Sequence, residues 1–132
     1  QERVHPAKLL FLEGCSFRQR DPAVFGVRIL AGSIQPGRTI IRQDNQQIGR
    51  IRSIQKETQT VTVAKQGDEV ALSVPGPTLG RQIKEGDILY LDMPGSAAKW
   101  LSGKGSLTTD EKEALFEIMK IKRDHGDRFW GM

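Results

Sequence analysis

The sequence holds one cysteine, Cys15, and two histidines, His5 and His125. A lone cysteine forms no internal disulfide, which fits a reducing, cytoplasmic compartment. Neither histidine, nor any Asp or Asn, lies near Cys15 in sequence. A buried packing role is therefore expected of it, not nucleophilic or zinc chemistry. No phosphate loop is present. The nearest string, Gly103-Lys104-Gly105-Ser106, has Gly where the hydroxyl belongs and Ala98 where the first Gly belongs. There is no Gly-x-Ser-x-Gly elbow. Paired acids such as Asp68-Glu69 sit beside turn glycines, where they stabilise turns. No catalytic residue, metal site or cofactor site is expected in this stretch. No apolar run reaches the length of a membrane-spanning helix, so no membrane partner is expected. The first residues, from Gln1 to Pro6, lack the charged-then-apolar pattern of a signal peptide. A chain that begins at Gln1 without Met reads as a fragment or a processed product.

What is present supports one core and a charged surface. Apolar residues make up 37% of 132 positions, enough for one domain with an appendage. The net charge is +4, and its distribution is uneven. From Arg18 to Lys56, eight basic residues face two acids, Asp21 and Asp44, and seven of the eight are Arg. Arginine's planar fork suits phosphate, so a basic face for nucleic acid competes with a merely solvated surface.

The first 92 residues alternate short apolar runs with turns. Strands are expected at Lys8–Leu12, Val24–Leu30, Thr39–Arg42, Ile48–Ile54, Val61–Val63, Glu69–Val74 and Ile88–Leu91. Pro36-Gly37 predicts a type II turn, and Asp44-Asn45 a hairpin. In Ile48–Ile54 the period-2 pattern is imperfect, which suggests that both faces are partly covered. Short strands at this spacing predict a mainly β fold, a closed barrel or sandwich with few free edges. The composition then changes. Ser96–Leu101 predicts a short helix stopping near Gly103. Thr108-Thr109-Asp110-Glu111 is a capping box opening a helix that runs to about Asp124, with Gly126 as its stop. Leu115, Ile118, Met119 and Lys122 form its stripe, widened by Ala114 and Ile121. Phe129 and Trp130 close the chain and are expected to dock on something. The domain reading is a barrel over 1–93 and a helical extension over 94–132.

Four strings carry a family resemblance: Phe17–Val27, Leu30–Gly37, Val74-Pro75-Gly76 through Gly80-Arg81-Gln82, and Glu85–Tyr90, with Phe129-Trp130-Gly131 at the end. Over residues 7–132 the chain resembles the last domain of archaeal translation initiation factor 2, the orthologue of eukaryotic initiation factor five-B. The resemblance implies a closed Greek-key barrel of the translational-GTPase second-domain type, followed by two C-terminal α-helices. It implies a parent that is a ribosome-dependent GTPase acting on the ribosomal subunits, with its nucleotide site elsewhere. It implies a grip on the acceptor end of methionyl initiator tRNA. By position, the gripping segments correspond here to Phe25-Gly26-Val27, Gln55-Lys56-Glu57 and Glu69-Val70-Ala71. On that reading Lys56 meets a phosphate, and Phe25, Val27 and Val70 line a slot for methionine. The tail implies a groove for initiation factor one-A, with Trp100, Leu115, Ile118, Met119, Phe129 and Trp130 as candidates. The bland alternative is that these residues pack the helices on the barrel. The alternative function is a structural or protein-interaction barrel that contacts only a partner factor or the ribosome.

Overall fold

The computed structural model describes residues 4–104 and 106–132. Gln1, Glu2, Arg3 and Gly105, and with them the start of the chain and part of the Gly103–Ser106 string, lie outside the described residues. Strands β1 (Ala7–Arg18), β2 (Ala23–Ile34), β3 (Thr39–Arg42), β4 (Gln47–Arg50), β5 (Ser53–Lys56), β6 (Gln59–Val61), β7 (Ala64–Lys65), β8 (Glu69–Val74) and β9 (Ile88–Leu91) precede helices α1 (Gly95–Lys104) and α2 (Thr109–His125). The sheet order is β4-β3-β9-β1-β2-β8-β5-β6, with β7 paired to β2 and all ladders antiparallel.

The two ends of that path are consecutive in the chain. Between β4 and β5 lie only Ile51 and Arg52. The Ile51 N–H donates to Arg38 O (2.8 Å) and the Arg52 N–H to Ser73 O (2.7 Å). One extended segment thus pairs with β3 at one end and with β8 at the other, and the sheet curls into a barrel. This explains the imperfect alternation in Ile48–Ile54. Ile48, Ile51 and Ile54 are all buried, at every third position, because the segment changes ladder at Ile51. A single flat strand would have kept one parity.

The barrel core holds alternate residues of each strand: Leu9 and Phe11 of β1, Phe25, Val27 and Ile29 of β2, Ile54, Leu72 and Leu89. The Phe11 and Phe25 rings lie 4.8 Å apart, centroid to centroid. A second cluster lies outside the barrel wall. There Ile41 and Tyr90, whose neighbours Ile40, Leu89 and Leu91 face inward, meet Met93, Ala98, Leu101, Leu115, Ile118 and Ile121. β3 and β9 are therefore covered on both faces, and the helical extension shares a core with the barrel.

Several expectations need correction. β1 does not stop at Gly14. Gly14 takes φ +74°, the ladder shifts register between Phe11 and Ser16, and the strand continues to Arg18. A bulge of this kind needs the conformational freedom of glycine. The strand expected at Val61–Val63 is Gln59–Val61, and Val63 is half exposed. α1 runs through Gly103 to Lys104. Cys15 is only half buried. The capping box at Thr108 forms as expected. Gly126 does end α2, without the left-handed conformation. Lys122 joins the inner side of α2 as a cation, its Nζ 2.5 Å from Asp92 Oδ1 and both side chains largely shielded.

Candidate functional site

β2, β8 and β5 are neighbours in the barrel wall, and their register aligns the three sequence-predicted segments. Gly26 opposes Ala71, and Ala71 opposes Gln55. This row has the outward parity, because Phe25, Leu72 and Ile54 beside it point into the core. A groove of about 410 Å³ lies over the row. Its lining includes Leu12, Cys15 and Phe17 from β1, Val24 and Gly26 from β2, Gln55 of β5 with Glu57 and Thr58 at its turn, and Glu69, Val70 and Ala71 of β8. Gly26 is what keeps the groove open beneath β1. A Cβ there would lie 2.7 Å from Cys15 Cβ and 3.2 Å from its Sγ.

The predicted contacts divide by parity. Gly26, Glu57, Glu69 and Ala71 line the groove. Phe25 and Val27 are fully buried and face the barrel interior, so they support the floor and cannot touch a ligand in it. Val70 borders the groove, yet only 4% of its surface is exposed, and it belongs to the core. Lys56 lies off the groove, with its Nζ 3.0 Å from Asp68 Oδ1. Asp68 is held below the usual carboxylate range, first by the Lys65 N–H and then by Lys56. The sequence reading missed Leu12, Cys15, Phe17, Val24 and Thr58. Cys15 and Phe17 could not be placed because β1 was expected to end before the bulge. Val24 was legible as the residue of opposite parity to Phe25.

The groove carries no available cation. Arg28 on the rim donates through Nε (2.9 Å) and Nη2 (2.5 Å) to Glu69 Oε2, which neutralises that acid. Glu57, at the β5–β6 turn with φ +52°, makes no side-chain hydrogen bond or ion pair among the described residues. The site is thus an apolar trough with one free carboxylate. It suits a ligand with an aliphatic side chain and a cationic end, and it does not suit a phosphate.

In the helical extension, Leu115 and Ile118 are buried against the barrel, and Met119 and Trp130 pack on the same cluster. These four act first in packing. Trp100 and Phe129 are 45% and 64% exposed, and the Arg128 guanidinium lies 5.4 Å over the Phe129 ring. Phe116, which the sequence reading passed over, is 70% exposed. It borders a small apolar hollow of about 270 Å³ with Leu101, Leu107, Leu115 and Met119. Polar contacts fix the extension. The Tyr90 hydroxyl donates to Glu117 Oε1 (2.6 Å), and Lys8 Nζ lies 3.0 Å from the same oxygen. Burial, then the bond to Glu117, pushes the Tyr90 phenol well up. The Gly32 N–H donates to Asp110 Oδ2 (2.7 Å), which ties the start of α2 to β2.

A family model, elongation factor Tu domain 4, matches residues 5–90. The chain is 47% identical over 133 aligned residues to a probable translation initiation factor IF-2 of Methanopyrus kandleri, covering 99% of this chain and 22% of that protein. It is 43% identical to the corresponding factor of Methanocella arvoryzae, over 98% of this chain and 22% of that one. The crystal structure of GDP-bound aIF5B from Aeropyrum pernix superposes with a TM-score of 0.89 at 35% identity, over 92% of this chain and 21% of that chain. A bacterial selenocysteine-specific elongation factor matches at TM-score 0.54 and 20% identity, a likeness of fold alone. The chain therefore spans about a fifth of the length of the curated relatives it matches.

Proposed function

Because the chain belongs to the elongation factor Tu domain 4 family, in the form carried by archaeal translation initiation factor IF-2, we propose that it is a binding module of a ribosome-dependent GTPase of translation initiation. It grips the aminoacyl acceptor end of methionyl initiator tRNA and works at the ribosomal subunits, in the cytoplasm. The observation that carries this reading is the groove over Gly26, Ala71 and Gln55. Three segments far apart in sequence meet there, at a row kept free of bulk by Gly26. The lining is apolar enough for methionine's thioether chain, and its free carboxylate, Glu57, complements an unblocked amino group. The helical extension serves a second partner, initiation factor one-A, through Trp100, Phe129 and the exposed Phe116. Those aromatics lie on the surface, while Leu115 and Ile118 are committed to packing. GTP hydrolysis belongs to other parts of the parent protein. No group of three or more His, Cys, Asp or Glu side chains that could hold a metal ion is present among the described residues.

The test is equilibrium binding of the chain to methionyl initiator tRNA and to the same tRNA stripped of methionine. Tighter binding of the charged form by tenfold or so, about 1.4 kcal/mol, is expected. Ala71→Trp fills the groove from an outward, half-buried position and should abolish the difference. Equal binding of the two forms overturns the acceptor-end reading and favours a barrel that contacts protein partners alone.

A further inference from the structure

Residues 127–132 fold into a short hydrogen-bonded turn beyond α2. The Trp130 N–H donates to Asp127 O (2.9 Å), the Met132 N–H to Phe129 O (3.1 Å), and the Phe129 N–H to Asp127 Oδ1 (2.9 Å). The turn is tied back to α2, where Arg123 Nε donates to Trp130 O (2.8 Å). It also reaches α1. A Cβ at Gly95, the first residue of α1, would lie 2.9 Å from Gly131 N and 3.3 Å from Trp130 Cδ1. A Cβ at Gly131 would lie 3.6 Å from Arg123 Nη2, 3.7 Å from Ala98 Cβ and 3.9 Å from Met119 Cε. Gly131 therefore sits between the first turn of α1 and the last two turns of α2.

The two glycines are required for different reasons. Gly131 takes φ +79°, which strains any L side chain, although its surroundings would admit a methyl group. Gly95 lies outside the left-handed region, so its backbone suits any residue, and alanine is the better helix former. Only the close approach of Trp130 and Gly131 excludes a side chain there.

Trp130 is half-buried and packs on the cluster shared by the helices and the outside of the barrel wall, not on the barrel core. It also borders a cleft of about 500 Å³ with Val4, Met93, Pro94 and Lys122. The turn can thus come away from α1 with the barrel intact. The large exposed aromatics of the extension are spread over the three parts that meet here: Trp100 on α1, Phe116 on α2 and Phe129 in the turn itself.

We propose that residues 127–132 are a clasp. Trp130 and Gly131, held by Arg123, close the start of α1 onto the end of α2. The clasp thereby sets the positions of Trp100, Phe116 and Phe129 relative to one another. Gly95, Arg123, Trp130 and Gly131 are its positioning residues. The clasp goes beyond the docking role of the extension and stands without it. Its consequence is that the two helix ends open as one local unit, below the free energy of global unfolding.

Native-state hydrogen exchange on the whole chain tests this with one variant on each helix. Gly95→Ala adds a single carbon to α1. Local propensity alone would leave protection in α1 unchanged or raise it. The clasp predicts a several-fold loss, in residues 99–103 of α1 and also in residues 119–125 of α2. Arg123→Met removes the donor to Trp130 O and keeps the stem and the helix propensity. It should lower protection in α1, on the other helix. The amides of β1, β2 and β8 should exchange as before in both variants. Protection in α1 that is unchanged or raised by Gly95→Ala, or an effect of either variant confined to its own helix, overturns the clasp. A loss shared equally by the strands overturns it too, because the chain would then open only as a whole.

Discussion

At Gly26 the function of a groove depends on the absence of one carbon. A Cβ at this position meets the Cβ of Cys15 at 2.7 Å, and that atom is too close to its own backbone to swing aside. β1 and β2 would have to separate locally. Gly26→Ala is expected to cost about 1–3 kcal/mol, the usual range for overpacking, read as a lower urea midpoint with an unchanged slope. The demand for glycine here comes from the approach of β1, which only the bulge at Gly14 makes possible. A sequence reading could name Gly26 as a candidate and could not say why it must be glycine. The same limit explains Phe25, Val27 and Val70. They were placed in a binding slot by the segments they belong to, whereas alternation, visible in the sequence, already put Phe25 and Val27 on the face opposite Gly26. Lys56 was expected to wait for a phosphate, and it is engaged by Asp68 from a turn twelve residues on.

At the scale of elements, the local signals were legible and the long-range ones were not. The capping box of α2 could be read from four residues, because it depends on local hydrogen bonds alone. The break of Ile48–Ile54 into two strands showed only as a faulty period, because its cause is the pairing of Ile51 and Arg52 with strands on opposite sides. The N-terminal turn of α2 makes a prediction of its own. Asp110 is held below its ordinary 3.8 by the Thr108 hydroxyl and then by the Gly32 N–H. Burial pushes Glu111 up, but the Thr108 N–H, the His5 ring and the Thr108 hydroxyl together bring it below its ordinary 4.5. Both carboxyls therefore bind protons more weakly in the folded state than in the unfolded chain. The stability they supply is present above pH 3.8 and 4.5, and it is lost as the pH falls through the lowered folded-state values. Trp100 and Trp130, the two tryptophans, both lie in the helical extension. Their fluorescence on acid titration should report loosening of the extension, and Asp110→Asn should make that titration shallower. A titration unchanged by Asp110→Asn would assign acid sensitivity to other groups.

For the whole molecule, the charge pattern was legible as a total and misleading as a map. The basic stretch from Arg18 to Lys56 suggested one basic face. In the structure it is distributed around the barrel, and Arg28, Arg42 and Lys56 each pair with an acid. Asp44 is held down to about 2, chiefly by a direct side-chain hydrogen bond from Arg42 and further by the Gln46 N–H. Two exposed cations, Arg81 and Lys84, come instead from a segment whose sequence balance is acidic. Fold class was legible because strand spacing, turns and the helical tail each repeat their signal locally. The site was legible only as three segments, since its walls are built by a bulge and a register that no local pattern encodes.

The central claim is that the groove over Gly26 and Ala71 receives the aminoacyl end, and Cys15 offers a direct report on it. It is the single cysteine of the chain, half buried in the groove wall. The measurement is its rate of alkylation by a small maleimide, with methionyl initiator tRNA, with deacylated tRNA and with neither. Slowing of several-fold by the methionyl form alone, at saturating concentrations of both tRNAs, is the predicted result. An equal rate in all three, with the tRNA demonstrably bound, would place the aminoacyl end somewhere else on the molecule.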